Sequence, residues 1–156
     1  MDIHIARGLH VLGVVLWIGG VGFVTWVLLP AIRRMSSVDD KVAFFEEIEG
    51  RFAMVARGAT LLVGVSGFYM VIAWDLWSRF MQPGFWWMHL MVLVWTVFTM
   101  MLFVAEPLFL HKWFLDHGKA QPESTFLLIQ RMHWVLFIIS LIAVIGAAMG
   151  AHGFGI

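Results

Sequence analysis

The stretch IARGLHVLGVVLWIGGVGFVTWVLLP, residues 5–30, decides the fold class. It is apolar over a length that crosses a hydrocarbon core about 30 Å thick, which takes about 20 helical residues. Yet it opens with Arg7 and His10, and it carries Gly13, Gly19, Gly20 and Gly22 where a lipid-facing helix uses leucine. An imidazole near one end and missing side-chain volume behind it describe a span that faces something other than lipid.

Composition extends the reading to the whole chain. Of 156 residues, 62% are hydrophobic and 13% charged, against about 45–50% and about 25% in a soluble domain. The apolar excess falls into four spans, near 5–29, 52–74, 85–110 and 126–151. Helices are expected, because an open sheet leaves its edge groups unsatisfied in lipid and a small barrel shows period-two alternation. The expectation is therefore an all-α four-transmembrane-helix bundle, a single membrane domain over residues 1–156 in contact with the lipid bilayer. The first span lacks a small-residue cleavage site behind a short apolar region and reads as retained. The absence of cysteine excludes disulfides, iron–sulfur clusters, thiolate metal sites and covalently attached c-type haem. Nothing in the sequence points to nucleic acid, and a homo-oligomer is compatible with it.

The connectors set the orientation. SSVDDKVAFFEEIEGR, residues 36–51, repeats Val42, Phe45, Ile48 and Phe52 at helical spacing with acids on the other face. It predicts a short interfacial helix capped by Ser37 or Asp39 and leading into span two. LHKWFLDHGKAQPES, residues 110–124, reads as a short, polar, turn-rich loop. Arg33, Arg34, Lys41, Arg51, Arg57, Lys112, Lys119 and Arg131 fall on the side of these two connectors, and only Arg7 and Arg79 on the other. The positive-inside rule puts the first set in the cytoplasm of a bacterial inner membrane, hence N-out/C-out. Trp74, Trp77, Trp86 and Trp87 then form an outer aromatic belt, with Trp113 and Trp134 at the inner one.

Seven histidines are many for such a chain. His10 and His89 sit at similar shallow depth in spans one and three, in related contexts, LHVLGVVLW and MHLMVLVW. A duplicated two-helix unit places them as mates across the bundle, where two imidazoles can ligate one haem iron. Gly13 and Gly20 share the sector of His10 and clear a surface for a flat plate; small residues also serve plain helix packing. Arg7 and Arg79 are the cations available to propionates at that end. His152 is level with this site and can replace His89. His133 lies at the other end of span four, about 28 Å away at a rise of about 1.5 Å per residue. With Arg57, Glu106 and His111 it forms an inner group that can hold a second haem, take protons, or make an ion-pair network; the network is the plainer reading. The expected metal ligands are thus His10 and His89, and the cofactor is haem b, one or two copies. Eleven methionines raise copper as the alternative, although they are scattered and suit flexible apolar filling. No G-x-S-x-G, phosphate-cradling glycine loop or H-E-x-x-H is present.

The runs LHVLGVVLWIGGVGFVTWVLLPAIRR, RFAMVARGATLLVGVSGFYM and WWMHLMVL resemble the small four-helix membrane proteins typified by the copper-resistance D domain and the HemJ-type protoporphyrinogen oxidase. The resemblance covers about two-thirds of the chain. It implies a four-helix bundle, b-type haem held by the first-span histidine, here His10, or metal handling on the copper-domain side. Span four departs from the HemJ pattern, with QRMHW where that family has an Arg-x-x-Asn-Glu type of segment. Haem redox work in electron transfer, with quinone or quinol as partner, is therefore the expectation rather than porphyrinogen oxidation. Copper transport and a purely structural subunit are the alternatives.

Overall fold

The computed structural model describes residues 2–153, leaving Met1 and 154–156 outside. The chain forms four helices long and apolar enough to cross a membrane: α1 Ile3–Arg33, α2 Val38–Ala73, α3 Pro83–Ala120 and α4 Pro122–Ala151. No strand occurs among the described residues. The starts of α1 and α2 are written in local sequence. Asp2 accepts from the His4 amide at 2.7 Å, and Ser37 accepts from the Asp40 amide at 3.2 Å, each quenching an orphan donor of a first turn. A short 3-10 helix, Leu76–Met81, bridges α2 and α3.

Both connectors are more helical than their composition predicts. Residues 38–51 are not a separate interfacial helix but the first turns of α2, and residues 111–120 continue α3 instead of forming a loop. Between α3 and α4 the helix breaks only at Gln121, ahead of Pro122. The reason is packing. At 36 and 38 residues, α2 and α3 reach about 54–57 Å, beyond a bilayer of about 40–45 Å with its headgroups. Their overhanging turns bury Val42, Phe45, Phe114 and Phe126 against each other and against Leu28, Leu29 and Ile32 of α1. Phe45 meets Phe114 at 4.8 Å and Phe126 at 5.6 Å between ring centroids. Polar composition suggested a loop; a shared apolar stripe made a helix pair.

Two stretches widen into π-helix, Val24–Leu28 in α1 and Met101–Leu110 in α3. Proline accounts for the position of both. The ring of Pro30 would strike the carbonyl of Trp26, and that of Pro107 the carbonyl of Phe103, each four residues back. Inserting a residue into the turn moves those carbonyls aside, so the helices pass their prolines without ending. Span one therefore continues past Pro30 to Arg33.

The helices run up and down in a ring. α1 packs most extensively on α2, α3 on α4, and the α2–α3 and α1–α4 contacts close the circle. Across the diagonal, Trp17 of α1 meets Phe98 of α3 edge-on at 4.9 Å. A mid-bundle core contains Trp17, Val21, Val63, Val94, Phe98 and Phe137, and a second core lies at the end rich in Arg and Lys, here the basic end. Large apolar side chains face outward along every helix, Val15, Val65 and Leu108 among them, at 62, 68 and 74% exposure. Such a surface suits lipid and not water, and the chain is a multi-pass membrane protein.

Candidate functional site

Between the two cores lies a cavity of about 160 Å³, walled by all four helices. Both π-helical stretches border it, through Val24 and Leu28 on α1 and Met101, Leu102, Glu106 and Leu110 on α3. Aromatic walls come from Trp17, Phe52, Phe98 and Phe114, and polar groups from Glu46, Glu49, Glu106, His111 and His133. The widened turns hold the helices slightly apart between two tightly packed layers, and the cavity is what remains. Single-turn π segments in membrane helices recur at functional sites for this geometric reason.

The cavity's chemistry is specific. The Trp17 side chain is 3% exposed, and its indole Nε1 has no hydrogen-bond partner among the described residues. Buried donors are nearly always paired, so an orphan in a cavity wall is informative. The His133 Nδ1 lies 2.9 Å from the Ile129 carbonyl. A carbonyl only accepts, so Nδ1 carries the hydrogen and Nε2 of the neutral ring keeps its lone pair. Arg57 of α2 donates to the Leu102 carbonyl of α3 at 3.0 Å and pairs with Glu106. The π-helical stretch contributes to this, because it frees the Leu102 carbonyl side of the turn for a guanidinium. Of the expected inner group, Arg57 and Glu106 form an ion pair, and Glu106, His111 and His133 border the cavity. Glu46 lies 4.0 Å from His111 Nε2.

The histidines at the end of the bundle away from the basic one are placed differently from the expected pair. His10 is half-buried and turns to α2, with Nδ1 3.1 Å from the Val63 carbonyl and 3.2 Å from Ser66 Oγ. Its ring rests over Gly67, where a Cβ would come within 3.1 Å of Cε1. His89 is exposed on α3, edge-on to Phe80 at 5.3 Å. The two imidazoles thus look to different neighbours, and the structure does not bring them together as mates. His152 is exposed and bonds its own helix at the Ala148 carbonyl, 2.8 Å away. Arg7 is exposed, and Arg79 lies over the Phe85 ring at 4.9 Å.

The surface cleared by Gly13 and Gly20 is filled by α2. A Cβ on Gly13 would stand 2.8 Å from Val63, and one on Gly20 would strike the Phe52 ring. On α4, Gly146 and Gly150 receive Trp86 and Trp87, so these two tryptophans anchor α3 to α4 as well as lying near the membrane surface. In this chain the small residues serve packing between helices.

These placements bear on haem. His10 presents one element of a haem ligand, a tautomer fixed by a carbonyl with Nε2 left over. Its expected partner His89 does not face it. The inner cavity matches in size an engineered void of about 150 Å³ that holds one benzene ring, and a four-pyrrole plate does not fit it. No group of three or more His, Asp or Glu side chains is arranged for a metal among the described residues.

Sequence reasoning missed Trp17 as a donor and Glu46 and Glu49 as lining groups. The acids were assigned to a solvated face, and only the packing of α3 beside α2 encloses that face. No family model matches the chain, and neither characterised proteins nor solved structures yield a similar sequence or fold.

Proposed function

We propose that this protein is an electron-transfer component of the bacterial inner membrane, with both termini outward, that binds the head of a quinone or quinol in the cavity of its basic half. One observation carries the reading. A cavity sized for a single ring is bordered by Trp17, whose indole Nε1 has no partner among the described residues, and by His133, whose Nε2 keeps its lone pair. A quinone carbonyl accepts from Trp17, and the opposite hydroxyl of a quinol donates to His133 Nε2. The flanking Glu106, Glu49 and Glu46 lead towards the basic end, a route by which protons released on oxidation leave the ring. The lipid-facing helices let an isoprenoid tail lie in the bilayer.

Quinol oxidation needs an electron acceptor, and haem b is the one that the resemblance implies. When bound, haem accepts electrons one at a time. His10 Nε2 is one ligand that such a haem would take, although α2 fills the surface at Gly13 and Gly20 and His89 does not face it.

The test is optical. Protein purified from its own membranes should show a Soret band and a pyridine haemochrome of the b type, absent in His10→Ala. Adding a short-tailed quinol should reduce that haem, and His133→Ala should slow the reduction by about 10²-fold, the usual contribution of a positioned proton acceptor. No Soret band removes the haem; unchanged reduction in His133→Ala removes the cavity from the reaction.

Copper is the second reading, because Met101, Met132, His111 and His133 border the same cavity, and thioether with imidazole suits Cu(I). Stoichiometric copper without haem in the purified protein would select it.

A further inference from the structure

A second hollow of about 320 Å³ opens at the basic end, beyond the ring-sized cavity and lined by different residues. Its walls are the last turn of α1, with Pro30, Arg33 and Arg34, the first turn of α2, with Lys41, and the start of α4, with Glu123 and Phe126. Three cations therefore face one carboxylate. Lys41 is the telling residue. It is only 9% exposed, yet its ammonium has no hydrogen-bond or ion-pair partner among the described residues. The stem of Lys41 is thus buried while its uncompensated charge lies in the wall of the hollow, an arrangement that favours an anion there. Arg33 is bonded to a neutral group, the Gln130 side-chain oxygen, at 2.6 Å. Its charge is thus positioned and not neutralised.

The first residues of α4 add the positive end of a 30-residue helix, a further source of attraction for an anion. Depth selects the ligand. The 31 residues of α1 span about 46 Å, so a hydrocarbon core of about 30 Å centred on it leaves Arg33 and Arg34 in the headgroup layer. Pro30 gives the hollow an apolar edge, and the buried Phe126 forms its floor.

We propose that this hollow is a binding site for the phosphate of an anionic phospholipid, held by Lys41, Arg34 and Arg33. The headgroup phosphate supplies the counter-charge that Lys41 lacks, and the first acyl carbons lie along Pro30. Basic pockets between helices at a cytoplasmic surface recognise lipid headgroups by this combination. The lipid also cements α1, α2 and α4 at the end where α1 has already passed its proline.

Native mass spectrometry of the detergent-solubilised full chain tests this, with phosphatidylglycerol, phosphatidylcholine and inorganic phosphate as separate titrants. Phosphatidylglycerol should bind as one tight equivalent ahead of phosphatidylcholine. Lys41→Gln and Arg34→Gln should each weaken it by about tenfold or more, the value of a charge-assisted hydrogen bond, and Lys41→Arg should retain it. Arg34 is exposed, so its variant reads the site even if Lys41→Gln fails to fold. Inorganic phosphate binding as tightly as the lipid would overturn the lipid assignment in favour of a free-anion site. Equal binding of both lipids, or no loss in Arg34→Gln, would overturn the site.

Discussion

Replacing Trp17 by phenylalanine separates its two roles, as a wall of the core and as an unpaired donor. The substitution removes two ring carbons and the indole nitrogen from a side chain that is 3% exposed and packs on Phe98. At about 0.8 kcal/mol per buried carbon the lost packing costs about 1.5–2 kcal/mol. It also removes a buried donor without a partner, whose desolvation penalty is about 1–3 kcal/mol. The two effects oppose, so Trp17→Phe should fall within about 1 kcal/mol of the wild type, or about 2–4 °C in Tm for a chain of this size. Ligand binding should respond more strongly. A short-tailed quinone at about 100 times its Kd stabilises the wild type by about 2.7 kcal/mol. Losing one hydrogen bond weakens binding roughly tenfold and halves that gain. Thermal unfolding in detergent, followed by tryptophan fluorescence with and without the quinone, measures both quantities. A loss above about 3 kcal/mol without ligand would mean that the indole N–H has a partner after all. Equal stabilisation of both proteins by quinone would remove Trp17 from the binding site, and no stabilisation of either would remove the quinone.

Two more perturbations test the frame around the cavity. Arg57→Leu and Glu106→Leu should each destabilise by about 2–3 kcal/mol, a partly exposed pair costing less than the roughly 3–5 kcal/mol of a fully buried one. The double variant should recover most of that loss, and a double-mutant cycle on Tm measures the coupling. On α1, Gly20→Val should cost about 1–3 kcal/mol, because its Cβ meets the Phe52 ring. Its neighbour Gly19→Val should change stability by less than about 0.5 kcal/mol, since nothing lies within 4 Å of a Cβ there; equal effects at the two positions would contradict the packing of α1 on α2.

The stretch at residues 5–30 already contained the fold class, because a long apolar run with no exit for its backbone groups in lipid has to be helical. Hydropathy likewise located the other three helices, and Ser37 marked the start of α2 by the chemistry of its side chain. What hydropathy could not show was that residues 38–51 and 111–120 would prolong α2 and α3. The stripe of 38–51 is legible as a helix but not as part of α2, that of 111–120 is too short to be read alone, and both join the core where Phe45, Phe114 and Phe126 meet. The glycines behaved in the same way. Their sequence announces missing volume on one face of α1, and only the neighbouring helix decides whether a cofactor or Val63 and Phe52 fills it.

The histidines draw the line most sharply. Sequence alone determined that imidazoles stand at both membrane ends, since depth along a helix follows from residue number at a constant rise. Rotation about the helix axis and the choice of neighbour do not follow from it. Those depend on which faces bury, and that is a property of four helices together. Tertiary packing turned His10 onto the Val63 carbonyl, left His89 at the surface, and set His133 and Trp17 in the wall of one cavity bordered by both π-helical stretches.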